Sequence, residues 1–439
     1  MSLGETTPME RREHLLSMFR KVRQASLKMC APLSPEDYQV QPCEEVSPPK
    51  WNLGHTSWFF YRFILRKHGL GLPIDEAFAH LFNSYYHRAG LGNPRGRRGL
   101  MTRPTVEQVY SYRESVDERM EKTIATADDE ALEELDFLTT VGKNHEQQHQ
   151  ELFYTEIKNI YHANTTSLRP AYLQGPQPVL PSQATEIEFI DFHGGTFEFG
   201  NTEGGWCWDN ELAIHRALLG DFALSDRLVT NREFLDFMRD AGYSNPLFWL
   251  SDGWLEVERR KWSAPLYWEN LDGKWWIFTL GGMRELDLEE PVCHVSFYEA
   301  CAFANWKSKL HGDFSGCRLP AEREWEHAAR VSGARASPAN FAEEGRLHPA
   351  PVAVGDRVLP TQMLGDLWEW TSSHYEPYPG FREFADDLSE YNGKFMNNQR
   401  VLRGGSCATP GDHIRLSYRN FWPPATRFQF TGIRLAKDL

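Results

Sequence analysis

His145 and His149 bracket the pentapeptide His145-Glu146-Gln147-Gln148-His149, and His55 closes the run Trp51-Asn52-Leu53-Gly54-His55. Residues four apart stack on one helix face, so the first two imidazoles can reach one ion. Imidazole suits iron, zinc, copper or nickel, and three protein ligands leave coordination positions open for a reacting molecule. The pentapeptide also fits the His-Glu-x-x-His pattern of zinc hydrolases, with Glu146 as general base. For so short a motif the plain alternative is a solvated helix face. His55, on a separate helix, can supply a third ligand. Three neutral ligands leave a ferrous ion its full charge for an anionic thiolate and O2. Zinc has no redox chemistry and suits hydrolysis only.

The elements that must carry these residues are legible from apolar spacing. Arg12 to Met29 places Leu15, Met18, Phe19, Val22 and Leu27 near a 3.6-residue period and predicts a first helix. Trp51 to Leu70, after the break Ser47-Pro48-Pro49, predicts a second carrying His55. Thr105 is placed to cap a third reaching about Ile124. Asp128 is placed to cap a fourth, Glu130 to about Tyr161, that carries His145 and His149. Such helices predict a bundle, an architecture that builds metal sites between facing helices. Pro170, Pro176, Pro178 and Pro181 then oppose regular structure. Beyond them, Ile187 to Phe199 alternates like a strand pair around Gly194-Gly195. Short helices are expected from Asn231 to Ala241 and, capped by Ser296, from Phe297 to Leu310. Pro320 is expected at the first turn of another, Ala321 to Val331, and Gln399 to Arg403 reads as a strand. The expected organisation is a helical bundle over 8–165, a linker over 166–185 and a loop-rich α+β domain over 186–439.

The chain has 439 residues, enough for two domains, with 41% hydrophobic and 25% charged residues, an ordinary globular balance. A net charge of -14 argues against nucleic-acid binding and gives no reason to expect an anionic membrane as partner. No run of about 18 apolar residues predicts a transmembrane helix. Glu5, Glu10, Arg11, Arg12 and Glu13 near the start leave no apolar stretch for a secretory leader. Seven scattered cysteines, odd in number and without a Cys-x-x-Cys pair, predict reduced thiols and a cytoplasmic location. The basic cluster from Arg95 to Arg103 stands out in this acidic chain.

Three segments, Trp51-Asn52-Leu53-Gly54-His55, Asn83-Ser84-Tyr85-Tyr86 and His145 to Leu152, resemble the N-terminal domain of the ergothioneine-pathway sulfoxide synthases, which is similar to DinB four-helix bundles. The second half resembles the formylglycine-generating-enzyme, or sulfatase-modifying-factor, domain, a C-type-lectin-like fold. The matching pieces are Gly194-Gly195-Thr196-Phe197, Arg318 to Glu326, Gly365-Asp366-Leu367-Trp368-Glu369-Trp370 and Arg403-Gly404-Gly405-Ser406. The resemblance implies an Fe(II)-dependent enzyme with O2 as co-substrate. It would join the sulfur of cysteine or γ-glutamylcysteine to imidazole C2 of hercynine (trimethylhistidine), giving a sulfoxide.

It also implies site residues. His55, His145 and His149 would hold iron. Gln148 and Asn420 would bind hercynine, with Phe421 and Trp422 as aromatic walls for its trimethylammonium group. Arg95 and Arg98 would clamp the donor's carboxylate in bidentate fashion, whereas Arg97 and Arg103 read as solvated loop charges. Tyr85 and Tyr86 are the candidates for acid catalysis, with Tyr375 and Tyr378 as second choices. A phenol near the iron would supply a proton and steer turnover away from thiol dioxygenation. Two departures matter. The run Arg415 to Trp422 lacks the cysteine pair of formylglycine-generating enzymes, so that activity is not expected. Trp422 stands where members using γ-glutamylcysteine tend to carry an acid, which favours free cysteine. The rival expectations are an ovothiol-type synthase acting on histidine, a zinc hydrolase using Glu146, and a lectin-like binding protein with a vestigial metal site.

Overall fold

The computed structural model describes residues 7–68, 76–174, 186–310, 312–336, 338–353 and 358–439. The expected helix end near Leu70 and most of the expected linker, 175–185, lie outside the described residues. The chain divides into two units, Met1–Tyr172 with Ala385–Glu390, and Leu173–Phe384 with Tyr391–Leu439.

In the first unit α1 (Pro8–Cys30) begins ahead of Arg12, because Thr7 and Glu10 form a capping box that apolar spacing does not reveal. It buries Leu15, Phe19, Val22 and Met29 along one stripe. α2 (Pro49–Phe60) is buried on all sides, so each of its polar residues needs a partner. It passes into a π-helical turn, Tyr61–Leu65, where a plain α-helix was expected. After the short α3 (Glu76–Leu81) come α4 (Val106–Thr126) and α5 (Asp129–His162). Both start at the expected caps: Thr105 accepts from the Gln108 N–H and Asp128 from the Ala131 N–H. α1 packs on α5, and α2 on both α4 and α5. Two glycines permit this closeness. A Cβ at Gly54 would lie 2.1 Å from the Phe82 ring, and one at Gly142 would lie 2.4 Å from Phe60. The acidic segment Ala385–Glu390 joins this unit because Arg62 pairs with Asp387 at 2.7 Å and the Arg88 N–H donates to Glu390.

The second unit is built from small sheets and short helices. β1 (Phe189–Phe192) and β2 (Gly195–Phe199) are separate strands but do not pair with each other, contrary to the expected hairpin. β1 pairs antiparallel with β4 (Phe222–Ser225), and β2 with β3 (His215–Leu219). A Cβ at Gly194 would lie 2.6 Å from the Leu219 carbonyl, so Gly194-Gly195 is a corner pressed against the β3–β4 turn. α6 (Asp209–Leu212), α7 (Asn231–Arg239) and α8 (Ser251–Arg260) precede a meander of β5 (Trp268–Leu271), β6 (Lys274–Thr279) and β7 (Gly282–Glu285). α9 (Phe297–Lys309) starts at Ser296 as expected. α10 (Glu322–Val331) is entered through Ala321, which leaves Pro320 outside the helix with its carbonyl accepting from Ser372. β8 (Trp368–His374), β9 (Arg400–Arg403), β10 (Asn420–Trp422) and β11 (Thr431–Gly432) form one sheet, and β12 (Ala436–Asp438) completes the sheet of β1 and β4.

The motif residues of this half are structural. Arg403 pairs with Glu326 at 2.8 Å, Arg419 with Glu322 at 3.0 Å and Arg434 with Glu369 at 2.7 Å, all buried. Trp325 Nε1 donates to Glu369. A buried charge needs its partner, since breaking such a pair strands an uncompensated ion. These ion pairs therefore help hold the fold of this half together.

Candidate metal centre

α2 and α5 bring His55, His145 and His149 together, with one ligand atom from each lying within 4.8 Å of the others. The Nε2 atoms of His55 and His145 are 3.2 Å apart. Two nitrogens bound about 2.1 Å from one ion at angles between 90° and tetrahedral would be separated by about 3.0–3.4 Å. The rings meet edge to face, with centroids 4.6–4.9 Å apart.

The buried carbonyl of Phe82 lies 2.6 Å from His55 Nδ1 and can only accept, so that nitrogen carries the proton and Nε2 keeps its lone pair. Asn52 Oδ1 does the same for His149 Nδ1 at 3.0 Å. Burial holds all three imidazoles well below their ordinary pKa, His145 at about 3, with neighbouring imidazoles adding to the effect at His55 and His149. Neutral rings are the form that binds metal. Aromatic side chains case the trio: Trp51 stacks on His55 at 4.5 Å, Trp58 lies at 5.7 Å, and Phe59 stacks on His145 at 4.1 Å.

Glu146 takes no part in this arrangement. It is fully buried and accepts from Arg113 at 2.6 Å, Arg23 at 3.0 Å and Ser26 at 2.6 Å. One residue past His145, it is turned about 100° around the helix. A carboxylate held by two guanidiniums is a poor general base, which removes the support for a zinc hydrolase.

Residues 176–353 and 360–439 match the sulfatase-modifying factor enzyme 1-like domain, and 18–152 match the DinB superfamily. A hercynine oxygenase of Mycolicibacterium thermoresistibile is 30% identical over 90% of this chain and 88% of its own length. The chain belongs to the hercynine oxygenase family. A second member, from Mycolicibacterium smegmatis, is 38% identical over 53% of this chain and 56% of its own length. Ergothioneine biosynthesis protein 1 of Schizosaccharomyces pombe is 28% identical over 53% of this chain and 28% of its own length. The chain thus spans little more than half of the second relative and about a quarter of the third.

Within this family frame, the other expected residues fall into distinct places. Arg98 is buried, with Nη1 donating to Ser47 Oγ and Nη2 to Ser84 Oγ, both at 2.8 Å, and its guanidinium lies 3.3 Å over Trp51. No carboxylate among the described residues bonds to it, and burial, with Arg95 nearby, holds its pKa well below the ordinary value. Arg95 is half-buried, while Arg97 and Arg103 are exposed. Tyr85 stacks on Tyr86 at 4.6 Å, and their hydroxyls are 3.5 Å apart. Tyr86 is buried against Phe59, the ring that also stacks on His145. Burial raises the Tyr85 phenol to about 12, so it keeps its proton at neutral pH. Gln148 is half-buried on α5.

In the second unit Asn420, Phe421 and Trp422 form β10. Successive strand residues face opposite sides, so the two aromatics are not walls of one pocket. Phe421 stacks on Tyr375 at 4.0 Å, and Trp422 meets Phe428 edge-on at 5.2 Å. Tyr375 and Tyr378 are buried there, Tyr375 accepting from Asn210 and Tyr378 from Arg403, so both have structural partners.

Sequence reasoning missed three supports of the trio: Asn52, Phe82 and Glu156. Glu156 Oε2 accepts from Asn52 Nδ2 at 2.5 Å and Oε1 from the Ser47 N–H at 2.9 Å. Burial raises this carboxyl to about 7 against the pull of Arg95. A signal existed, since position 156 lies two helical turns beyond His149 on the same face. Phe82 acts through its backbone, so no side-chain motif could announce it.

Proposed function

We propose that this chain is a non-haem iron(II)- and O2-dependent sulfoxide synthase. It joins the sulfur of cysteine to imidazole C2 of hercynine. The convergence of three neutral imidazoles, two of them with the Nε2 lone pair fixed by a bonded Nδ1–H, carries the reading, and the family relationship supplies the substrate class. Atoms and electrons balance: thiol, imidazole C–H and O2 give the sulfoxide and water, and O2 accepts four electrons. Bound there, iron would supply the redox chemistry and open positions for substrate.

The chain's own residues orient the reactants and handle protons. His55, His145 and His149 hold the ion. Arg98, with no carboxylate bonded to it among the described residues, takes the donor's carboxylate together with Arg95. Gln148 offers its side-chain amide to hercynine. Tyr85 and Tyr86 supply the proton that keeps turnover from ending at cysteine sulfinate.

Anaerobic loading with Fe(II) followed by O2, with hercynine or histidine and cysteine or γ-glutamylcysteine, tests this. Mass spectrometry should find hercynylcysteine sulfoxide. A product formed only with histidine would move the chain to the ovothiol-type reaction, and absence of O2 consumption would sink the proposal.

A further inference from the structure

We propose that Glu156 is a positioning residue that sets the tautomer of His149 through Asn52, a proposal resting on the three-histidine metal reading. Every link follows from donor and acceptor inventory. The Glu156 carboxyl only accepts once it is ionised, the state that dominates above its raised pKa of about 7. Glu156 receives the Ser47 N–H on Oε1 and the Asn52 amide N–H on Oε2. An amide whose nitrogen faces a carboxylate must turn its oxygen the other way, and Asn52 Oδ1 faces His149 Nδ1. That nitrogen must then carry the ring proton, which leaves the Nε2 lone pair for an ion. The relay is buried, with Glu156 1% and Asn52 5% exposed, so water does not compete for these bonds. Ser47 also ties it to the arginine site, because its hydroxyl accepts from Arg98.

Glu156→Gln breaks this polarity while keeping shape. The glutamine has one acceptor oxygen for two donors. The Ser47 N–H precedes Pro48-Pro49 and the start of α2 and cannot rotate away, so it keeps the oxygen. The new amide N–H then faces Asn52, whose side chain must flip and present N–H to His149. The ring proton moves to Nε2 and the lone pair is lost. Adding Asn52→Asp restores an acceptor toward both neighbours, so the double variant recovers the original tautomer.

The test uses the full chain labelled with 15N-histidine, with His149 signals identified from a His149→Gln variant. In metal-free protein at about pH 8.5, where Glu156 is ionised, long-range proton–nitrogen spectra should show His149 protonated on Nδ1 in wild type and in Asn52→Asp/Glu156→Gln, and on Nε2 in Glu156→Gln. Competition with a chelator should show Co(II) affinity falling about 10–100-fold in Glu156→Gln and recovering in the double variant. Two results overturn the relay: Nε2 protonation in wild type, which needs no variant to fold, or Glu156→Gln with the Nδ1 proton retained. Wild-type protein that takes up neither Co(II) nor Fe(II) counts against the iron reading alone, since the tautomer is read without metal.

Discussion

The two buried glutamates of α5 stand in opposite circumstances. Burial would raise Glu146, but Arg113 and then Arg23 override it and hold the carboxyl below its ordinary range. Glu156 has amide donors instead, and burial carries it up to about 7. One face of the helix closes a lock in which Glu146 and Asp117 balance Arg23 and Arg113 and tie α1 and α4 to α5. The other lines up the imidazoles of His145 and His149, the second with its Nδ1 proton fixed by Asn52. Both glutamates are fully or nearly fully inaccessible, so burial does not separate structure from function. What separates them is what their partners touch: Glu146 is held by arginines that bond to the scaffold, whereas Glu156 bonds Asn52, which faces His149.

His149→Ala tests the functional face most severely. Two ligands seldom hold Fe(II) against buffer, so metal analysis should find the ion lost while the unfolding transition stays near wild type; near-normal iron content would break the distinction. Glu146→Gln strikes the other face. It leaves Arg113 without its buried carboxylate and Arg23 with Asp117 alone, and should cost about 3–5 kcal/mol in urea unfolding. Oxygenase turnover in its folded fraction should persist, and loss of turnover in fully folded protein would return Glu146 to the chemistry.

Tyr85→Phe and Tyr86→Phe leave both faces of α5 intact. At least one should divert product from sulfoxide toward cysteine sulfinate; unchanged ratios in both would place the acid elsewhere. The smallest effect lies in the second unit, where Glu290 repeats the Glu146 pattern. Burial opposes its ionisation, but His348 at 3.1 Å and then Arg284 at 2.5 Å hold it at about 2, below its ordinary 4.5. A depressed carboxylate contributes stability above its unfolded value and loses it as pH falls through the folded one. Its contribution, on the order of 3 kcal/mol, should be present above about pH 5 and fade toward pH 2. A stability gap between wild type and Glu290→Gln that ignores pH would contradict this.

Much of the first unit is legible locally. Thr105 and Asp128 announce α4 and α5, and the spacing of His145 and His149 places both on one face. The second unit is less legible where pairing is non-local. β1 and β2 each read as strands, but their partners are β4 and β3, chosen by packing around Gly194. The π-helical turn after α2 has no marker in residue type, and all-round burial removes the stripe from which a helix is usually read.

The sequence by itself determined that three histidines could serve one ion, because helical periodicity fixes which residues share a face. Only the tertiary structure decided what stands opposite each face. Arg23 and Arg113 make Glu146 a lock, whereas Phe82 and Asn52 turn two ring nitrogens inward. Those partners come from other helices and from the backbone, and a hydrogen bond between distant segments leaves no trace in local spacing.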